Sequence, residues 1–311
     1  MPSRSSFTVV ERCGQGEGGN NNLGIFLVKY NRTNQKYIEK RVRVSTIARG
    51  DVQREIKYQS QCSNHPFIVG VFASDLDHRR VDYGSVYLQR AELGSLDSVV
   101  KRYDQHGARF ADEGFLWKVL FDMSLGLAYL MTGQDAKSAR DYARAGRKVP
   151  MKSGWSSIIH RDMKPSNIFM TYFDPLDMNV TTFPNLLIGD FGCAARPSQR
   201  DDLPLTDRDF MPPEGNQRGN AEADVFSLAL CVICLCRRTQ RPPRSDHLRS
   251  MGESDGLHMV LATSLQADPH MRPDPQQLPL LVYKGYSEWL AMQRRGFVPA
   301  RLPSWAVPGP S

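Results

Sequence analysis

Apolar and polar positions alternate with a period of two along residues 7–44, the pattern of half-buried strands. Phe7-Thr8-Val9-Val10 leads into a glycine-rich turn and Ile25-Phe26-Leu27-Val28 leads out of it, which predicts a hairpin with an enlarged tip. Lys36-Tyr37-Ile38-Glu39-Lys40-Arg41-Val42 predicts a further strand, in which alternation sends Lys40 and Arg41 to opposite faces. Asp51-Val52-Gln53-Arg54-Glu55-Ile56 opens a helical segment. From Phe115 to Leu130 apolar residues recur at helical spacing, and there the pattern stops. Ile168-Phe169-Met170 and Leu186-Leu187-Ile188 predict a second hairpin, with the proline-bearing stretch from Thr171 to Asn185 as its loop. The apolar run from Val225 to Cys236 predicts a buried helix.

Composition narrows the class. At 311 residues and 41% hydrophobic, the chain can bury a sizeable core in one large two-lobed domain or two ordinary ones. No run reaches eighteen apolar residues, and Met1-Pro2-Ser3-Arg4-Ser5-Ser6 has no apolar signal stretch. Neither membrane insertion nor secretion is therefore expected, and the expected location is the cytoplasm or nucleus. Six cysteines make no disulfide framework at this length. Cys231, Cys234 and Cys236 lie inside the apolar run, where burial explains them; a Cys-x-x-Cys metal site would need a second pair of ligands.

The formal charge of +7 suits nucleic acid, acidic partners or ATP-like polyanions, and one segment concentrates it: Lys137, Arg140, Arg144, Arg147, Lys148 and Lys152 against Asp135 and Asp141. Residues 131–157 read first as a solvated basic insertion, a surface loop or small helix. Nuclear targeting or docking to an acidic partner is the second reading. A nucleic-acid-binding function rests on the charge alone.

The candidate chemistry lies in Ile158-Ile159-His160-Arg161-Asp162-Met163-Lys164-Pro165-Ser166-Asn167. Phosphoryl transfer needs an acidic group to orient the attacking hydroxyl, a cation for the transferring phosphate and an oxygen ligand for Mg²⁺. Asp162, Lys164 and Asn167 can supply them in that order. Upstream, Gly14-Gln15-Gly16-Glu17-Gly18-Gly19 is formally G-x-G-x-x-G, and glycine lets backbone N–H groups approach phosphate oxygens with no Cβ in the way. A strand-like run follows it rather than a helix, which favours a phosphate-covering flap over a dinucleotide turn.

The string from His160 to Asn167 resembles the H-R-D-x-x-x-x-N catalytic loop of the eukaryotic protein kinases, and Lys164, two places after Asp162, resembles their serine/threonine branch. Asp190-Phe191-Gly192 is similar to the family's D-F-G, and Pro212-Pro213-Glu214 stands in place of A-P-E. The resemblance runs from about Phe7 to Leu280, and around His65-Pro66 and the hinge it is similar to the NIMA-related group. It implies an α+β, two-lobed kinase fold: a small β-rich N-lobe with one main helix over residues 1–88, a hinge at 89–94, a larger, mainly helical C-lobe over 95–286 and a tail at 287–311.

It implies ATP and Mg²⁺ as cofactors and a protein serine or threonine as substrate. Asp162 and Lys164 become catalytic, and Asn167 and Asp190 the metal ligands. Lys40 pairs with Glu55 to hold the nucleotide's α and β phosphates. Gly14, Gly16 and Gly19 cover the phosphates, although the loop carries about four extra residues and its third glycine could be Gly24. Ile25 covers the adenine in place of the family's valine, Leu88 is the gatekeeper, and the Gln89 carbonyl and Ala91 amide read the adenine edge. Glu214 pairs with Arg272, and Asp224 braces the catalytic-loop backbone. In the activation segment from Cys193 to Met211, Ser198 and Thr206 are the hydroxyl residues, Thr206 also being a candidate to face the substrate, and Arg161 could pair with a phosphate placed there. A pseudokinase scaffold is the alternative, motivated by the stretched glycine loop, the altered Pro212-Pro213-Glu214 and two insertions; the intact Lys40, Asp162, Asn167 and Asp190 oppose it.

Overall fold

The computed structural model describes residues 2–14, 22–79, 81–110, 113–172, 183–198, 207–215, 220–243, 248, 251–298 and 301–307. The chain divides into two compact units, one formed by Met1–Asn64 with Val69–Ala91 and the other by His65–Ile68 with Glu92–Ser311.

The first unit is an antiparallel sheet of β1 (Phe7–Gly14), β2 (Asn22–Tyr30), β3 (Lys36–Arg43), β4 (Val71–Asp75) and β5 (Tyr83–Gln89), ordered β1-β2-β3-β5-β4. Two helices, α1 (Val44–Ala48) and α2 (Asp51–Cys62), follow β3. The period-two pattern gives the sheet two different faces. On one, Val42, Ile47, Val52 and Val86 form a core with Ile56 and Leu88 packed on it. On the other, Val28, Tyr37, Ala73 and Tyr87 pack with Phe7, Phe26 and Tyr30, and the Phe7 ring lies flat on Tyr87 at 3.7 Å between centroids.

Glu39 sits on that second face and is only 2% exposed. It accepts hydrogen bonds from Ser85 Oγ at 2.6 Å and Arg41 Nε at 3.0 Å, which meets the cost of burying its charge. Arg41 also lies over the Phe26 ring at 3.9 Å, so its cation is committed to this face.

The second unit contains α3 (Leu96–Gln105), α4 (Gly114–Thr132), α5 (Ala136–Arg144), α6 (Glu222–Arg237), α7 (Asp255–Ser264) and α8 (Leu278–Met292), with a two-stranded ladder of β6 (Ile168–Thr171) and β7 (Asn185–Ile188). α4 has the length and composition to cross a bilayer, but here it is a core helix, buried nearly all round among β7, α5, α6 and α8. Gly126 lets β7 approach it: a Cβ there would lie 2.8 Å from Ile188 Cδ1. The helix ends at Gly133, whose φ of 74° is the left-handed cap that glycine adopts without strain.

Residues 131–157 hold helix α5, and they are more than a solvated insertion. Ala136, Ala139, Ala143 and Val149 are buried, and α5 packs on α4 and α8. α8 runs unbroken through residue 287, with Pro279 tolerated in its first turn and Trp289 buried. Further on, Trp305 stacks on His106 at 4.2 Å and Arg102 Nη1 donates to the Ala306 carbonyl at 3.0 Å.

Candidate active site

A buried carboxylate braces the loop from His160 to Asn167 from below. Asp224, in the first turn of α6, accepts the backbone N–H groups of His160 and Arg161, both at 2.7 Å. Burial pushes its pKa up, and the two N–H bonds with the nearby Arg161 charge oppose that. Arg161 has a φ of 67°, a conformation costly for a residue with a Cβ, and the Asp224 bond is what fixes its peptide there. Asparagine has a single acceptor oxygen for these two donors. Asp224→Asn is therefore expected to cost about 1–3 kcal/mol of stability, the penalty of leaving a buried donor unmet, and to lower activity with it. An unchanged denaturation midpoint would show that the brace is dispensable.

His160, fully buried, links this brace to Asp190-Phe191-Gly192. Its Nε2 lies 3.0 Å from the Gly189 carbonyl and its Nδ1 3.3 Å from the Asp162 N–H. Those partners require the proton on Nε2. The Gly189 N–H in turn donates to the Asn167 carbonyl at 2.9 Å. Phe191 is buried and meets the His160 ring edge-on at 5.0 Å. Gly189, the residue before Asp190, is thus held by both its N–H and its carbonyl, and Asp190 follows in a left-handed conformation with φ 60°.

Around Asp162 the donors are unevenly shared. Lys164 Nζ lies 3.1 Å from Oδ2, and Asn167 Nδ2 donates to the same oxygen and to the Asp162 carbonyl, each at 2.8 Å. The other oxygen, Oδ1, takes among the described residues only a long bond of 3.4 Å from the Asp207 N–H. Burial alone would push the Lys164 ammonium down, but the carboxylates of Asp162, Asp207 and Asp190 more than reverse it, so its pKa is raised and it stays charged. Asn167 spends its NH₂ on Asp162, which leaves its side-chain carbonyl oxygen to offer a cation. Cys193, beside this group, is a protonated thiol: burial first, then Asp162 and Asp190, push it up to about 12.

In the first unit, Lys40 Nζ meets Glu55 Oε1 at 2.7 Å, across from Arg41 as alternation predicts. Ile25 lies opposite Lys40 in the β2–β3 register and Val86 opposite it in β3–β5, which puts all three on one face. The Gln89 N–H is used by Gly70, at 2.8 Å, and the Ala91 N–H has no hydrogen bond among the described residues. Gly14 ends β1, whereas Gly16 and Gly19 lie outside the described residues, as does Thr206.

Glu214 and Arg272 form the expected pair, two parallel bonds of 2.6 and 2.7 Å. Arg161 donates to the Cys193 carbonyl at 3.3 Å, and Ser198 is exposed. The thiols of Cys231 and Cys234 are buried in α6 and raised by that burial, Cys234 to about 12. Sequence reasoning missed Asp207, whose carboxylate lies 3.9 Å from Lys164 Nζ.

Residues 154–280 match the protein kinase domain family. The G2-specific protein kinase nim-1 of Neurospora crassa is 22% identical over 304 residues, an alignment covering 89% of this chain and 33% of the relative. The G2-specific protein kinase nimA of Emericella nidulans is 22% identical over 259 residues, covering 76% and 35%. The dual specificity mitogen-activated protein kinase kinase dSOR1 of Drosophila melanogaster is 26% identical over 225 residues, covering 70% and 46%. The chain spans about a third of the length of the first two of these relatives.

Proposed function

We propose that this chain, whose similarity and α+β fold are those of the eukaryotic protein kinase superfamily with a NIMA-like leaning, transfers the γ-phosphoryl group of Mg-ATP to serine or threonine hydroxyls of a protein. One observation carries the reading: Asp162 has one oxygen held by Lys164 and Asn167, while the other takes, among the described residues, a single long bond. A carboxylate held in that way is aimed, and its second oxygen is placed to accept the proton of an incoming hydroxyl. Lys164 stays charged beside it and stabilises negative charge on the transferring phosphate. Lys164's place two residues after Asp162 supports the serine/threonine choice. Lys40, fixed by Glu55, is the cation that the resemblance assigns to the α and β phosphates.

The residues fit magnesium. The Asp190 carboxylate and the Asn167 side-chain carbonyl are hard oxygen donors, and no group of three His, Cys, Asp or Glu side chains that could hold a metal occurs among the described residues. Magnesium asks for few protein ligands, since water and nucleotide phosphates complete its shell. When bound, Mg-ATP supplies the phosphoryl group and the cation that neutralises its phosphates.

Thermal unfolding with ATP alone and with ATP plus Mg²⁺ tests the cofactor assignment. Mg-ATP at about 100 times its dissociation constant stabilises the folded state by about 2.7 kcal/mol. The wild type is expected to gain most of this only when Mg²⁺ is present, and Asp190→Asn to lose the magnesium-dependent increment while keeping the shift with ATP alone. Equal shifts with and without Mg²⁺ in the wild type would contradict the metal assignment.

A further inference from the structure

Residues 135–152 carry six cations and two carboxylates, a net +4 (6 − 2) of the chain's +7. This charge is displayed on a fixed scaffold. Ala136, Ala139 and Ala143 form a stripe at helical spacing that is buried where α5 packs on α4 and α8. Lys137, Arg140 and Arg144 repeat the same spacing on the next stripe round the helix. Beyond the helix the chain is pinned again: the Val149 N–H donates to the Gln276 carbonyl at 3.0 Å, Gln276 Nε2 donates back to the Val149 carbonyl at 2.8 Å, and the Lys152 N–H donates to Thr132 at 2.9 Å.

The local acids do not neutralise this surface. The Asp135 carboxylate caps α5, accepting from Ser138 N at 2.9 Å and Ser138 Oγ at 2.7 Å. Asp141 is paired, among the described residues, with Arg140 at 3.6 Å. Lys137, Arg144, Arg147, Lys148 and Lys152 are exposed and make no ion pair among the described residues. None of these five takes part in the chemistry described above.

We propose that residues 137–152 form a docking surface for an acidic, aspartate- and glutamate-rich segment of a partner protein. Charge complementarity selects the class, and the neighbouring side chains select protein over nucleic acid. Met151 stands 45% exposed among the cations, an apolar contact for a peptide side chain. Unpaired bases stack on an open aromatic face, and the one aromatic ring of α5, Tyr142, carries the Arg147 guanidinium 5.3 Å from its centre.

Fluorescence anisotropy on the full chain tests this, using a labelled Asp/Glu-rich peptide, its Asn/Gln counterpart and a short DNA duplex. Tight, salt-weakened binding of the acidic peptide is expected, with the Asn/Gln peptide at least about tenfold weaker. Lys137→Glu/Arg144→Glu/Lys148→Glu is expected to lose the acidic peptide by about tenfold or more at an unchanged melting temperature. A second variant outside the helix, Lys148→Gln/Lys152→Gln, is expected to lose part of the affinity and serves if the triple change perturbs folding. Acidic-peptide affinity unchanged in the variants would overturn the proposal. So would a duplex bound more tightly than the peptide and released by the same substitutions. These are binding measurements, so they stand whether or not phosphoryl transfer is observed.

Discussion

Asp162→Asn is expected to lower the turnover of phosphoryl transfer by about 10²–10⁴-fold, the range that a positioned general base contributes. The change is nearly isosteric, and the residue is 9% exposed, so the local packing survives it. Its chemistry does not survive. The amide must present its oxygen to Lys164 Nζ and Asn167 Nδ2, which lie 3.1 and 2.8 Å from Oδ2 in the native protein. That turns an NH₂ group towards the position of Oδ1, where the hydroxyl proton should be accepted. Nucleotide affinity, governed by other residues, should change by less than about threefold, so the loss falls on kcat and not on KM. Steady-state kinetics of both proteins at matched folded fraction check this. A variant retaining more than about a tenth of wild-type turnover would show that Asp162 is not the base.

The largest loss of stability is expected at Glu214. Its side chain is 7% exposed and that of Arg272 is 0%, and the two make parallel charged bonds. Arg272 is further committed to the Gln266 carbonyl at 2.6 Å and to the Phe226 ring at 4.7 Å, so it has no route to water. Glu214→Ala leaves that guanidinium buried with its counter-charge removed, a change that costs about 3–5 kcal/mol. For a unit of this size the melting temperature should fall by on the order of 10 °C. Glu214→Leu/Arg272→Met, which removes both charges, should be less damaging than Glu214→Ala alone. A melting temperature unmoved by Glu214→Ala would mean that the pair is not buried in solution.

Where a short contiguous motif dictates local geometry, the sequence was enough. His160 to Asn167 folds into a loop whose Asp162, Lys164 and Asn167 meet one another, and strand alternation placed Lys40 and Arg41 on opposite faces, each with its own carboxylate. Local patterning fails where long-range partners decide the outcome. Glu39 is a charged strand residue with no apolar signal of its own, yet Ser85, 46 residues away, and Arg41 make its burial tolerable. A small helix was one reading of residues 131–157, but the burial of α5 was hidden because its buried stripe is alanine, a weak apolar signal beneath a strong charge pattern. The end of the chain reads as a tail over residues 287–311, but α8 continues to Met292 and Trp305 finds His106 almost 200 residues earlier in the sequence. Asp207 was missed for the same reason: nothing in its immediate neighbours shows that Lys164 lies beside it.

The chemistry of Asp162, Lys164, Asn167 and Asp190 is tested most directly by following label from γ-labelled ATP into a mixed protein substrate with the wild-type chain, with and without Mg²⁺, and identifying the modified amino acid. The geometry predicts magnesium-dependent incorporation recovered as phosphoserine or phosphothreonine. A folded wild-type chain that binds ATP and incorporates no label would contradict it, and would leave a nucleotide-binding scaffold in place of a kinase.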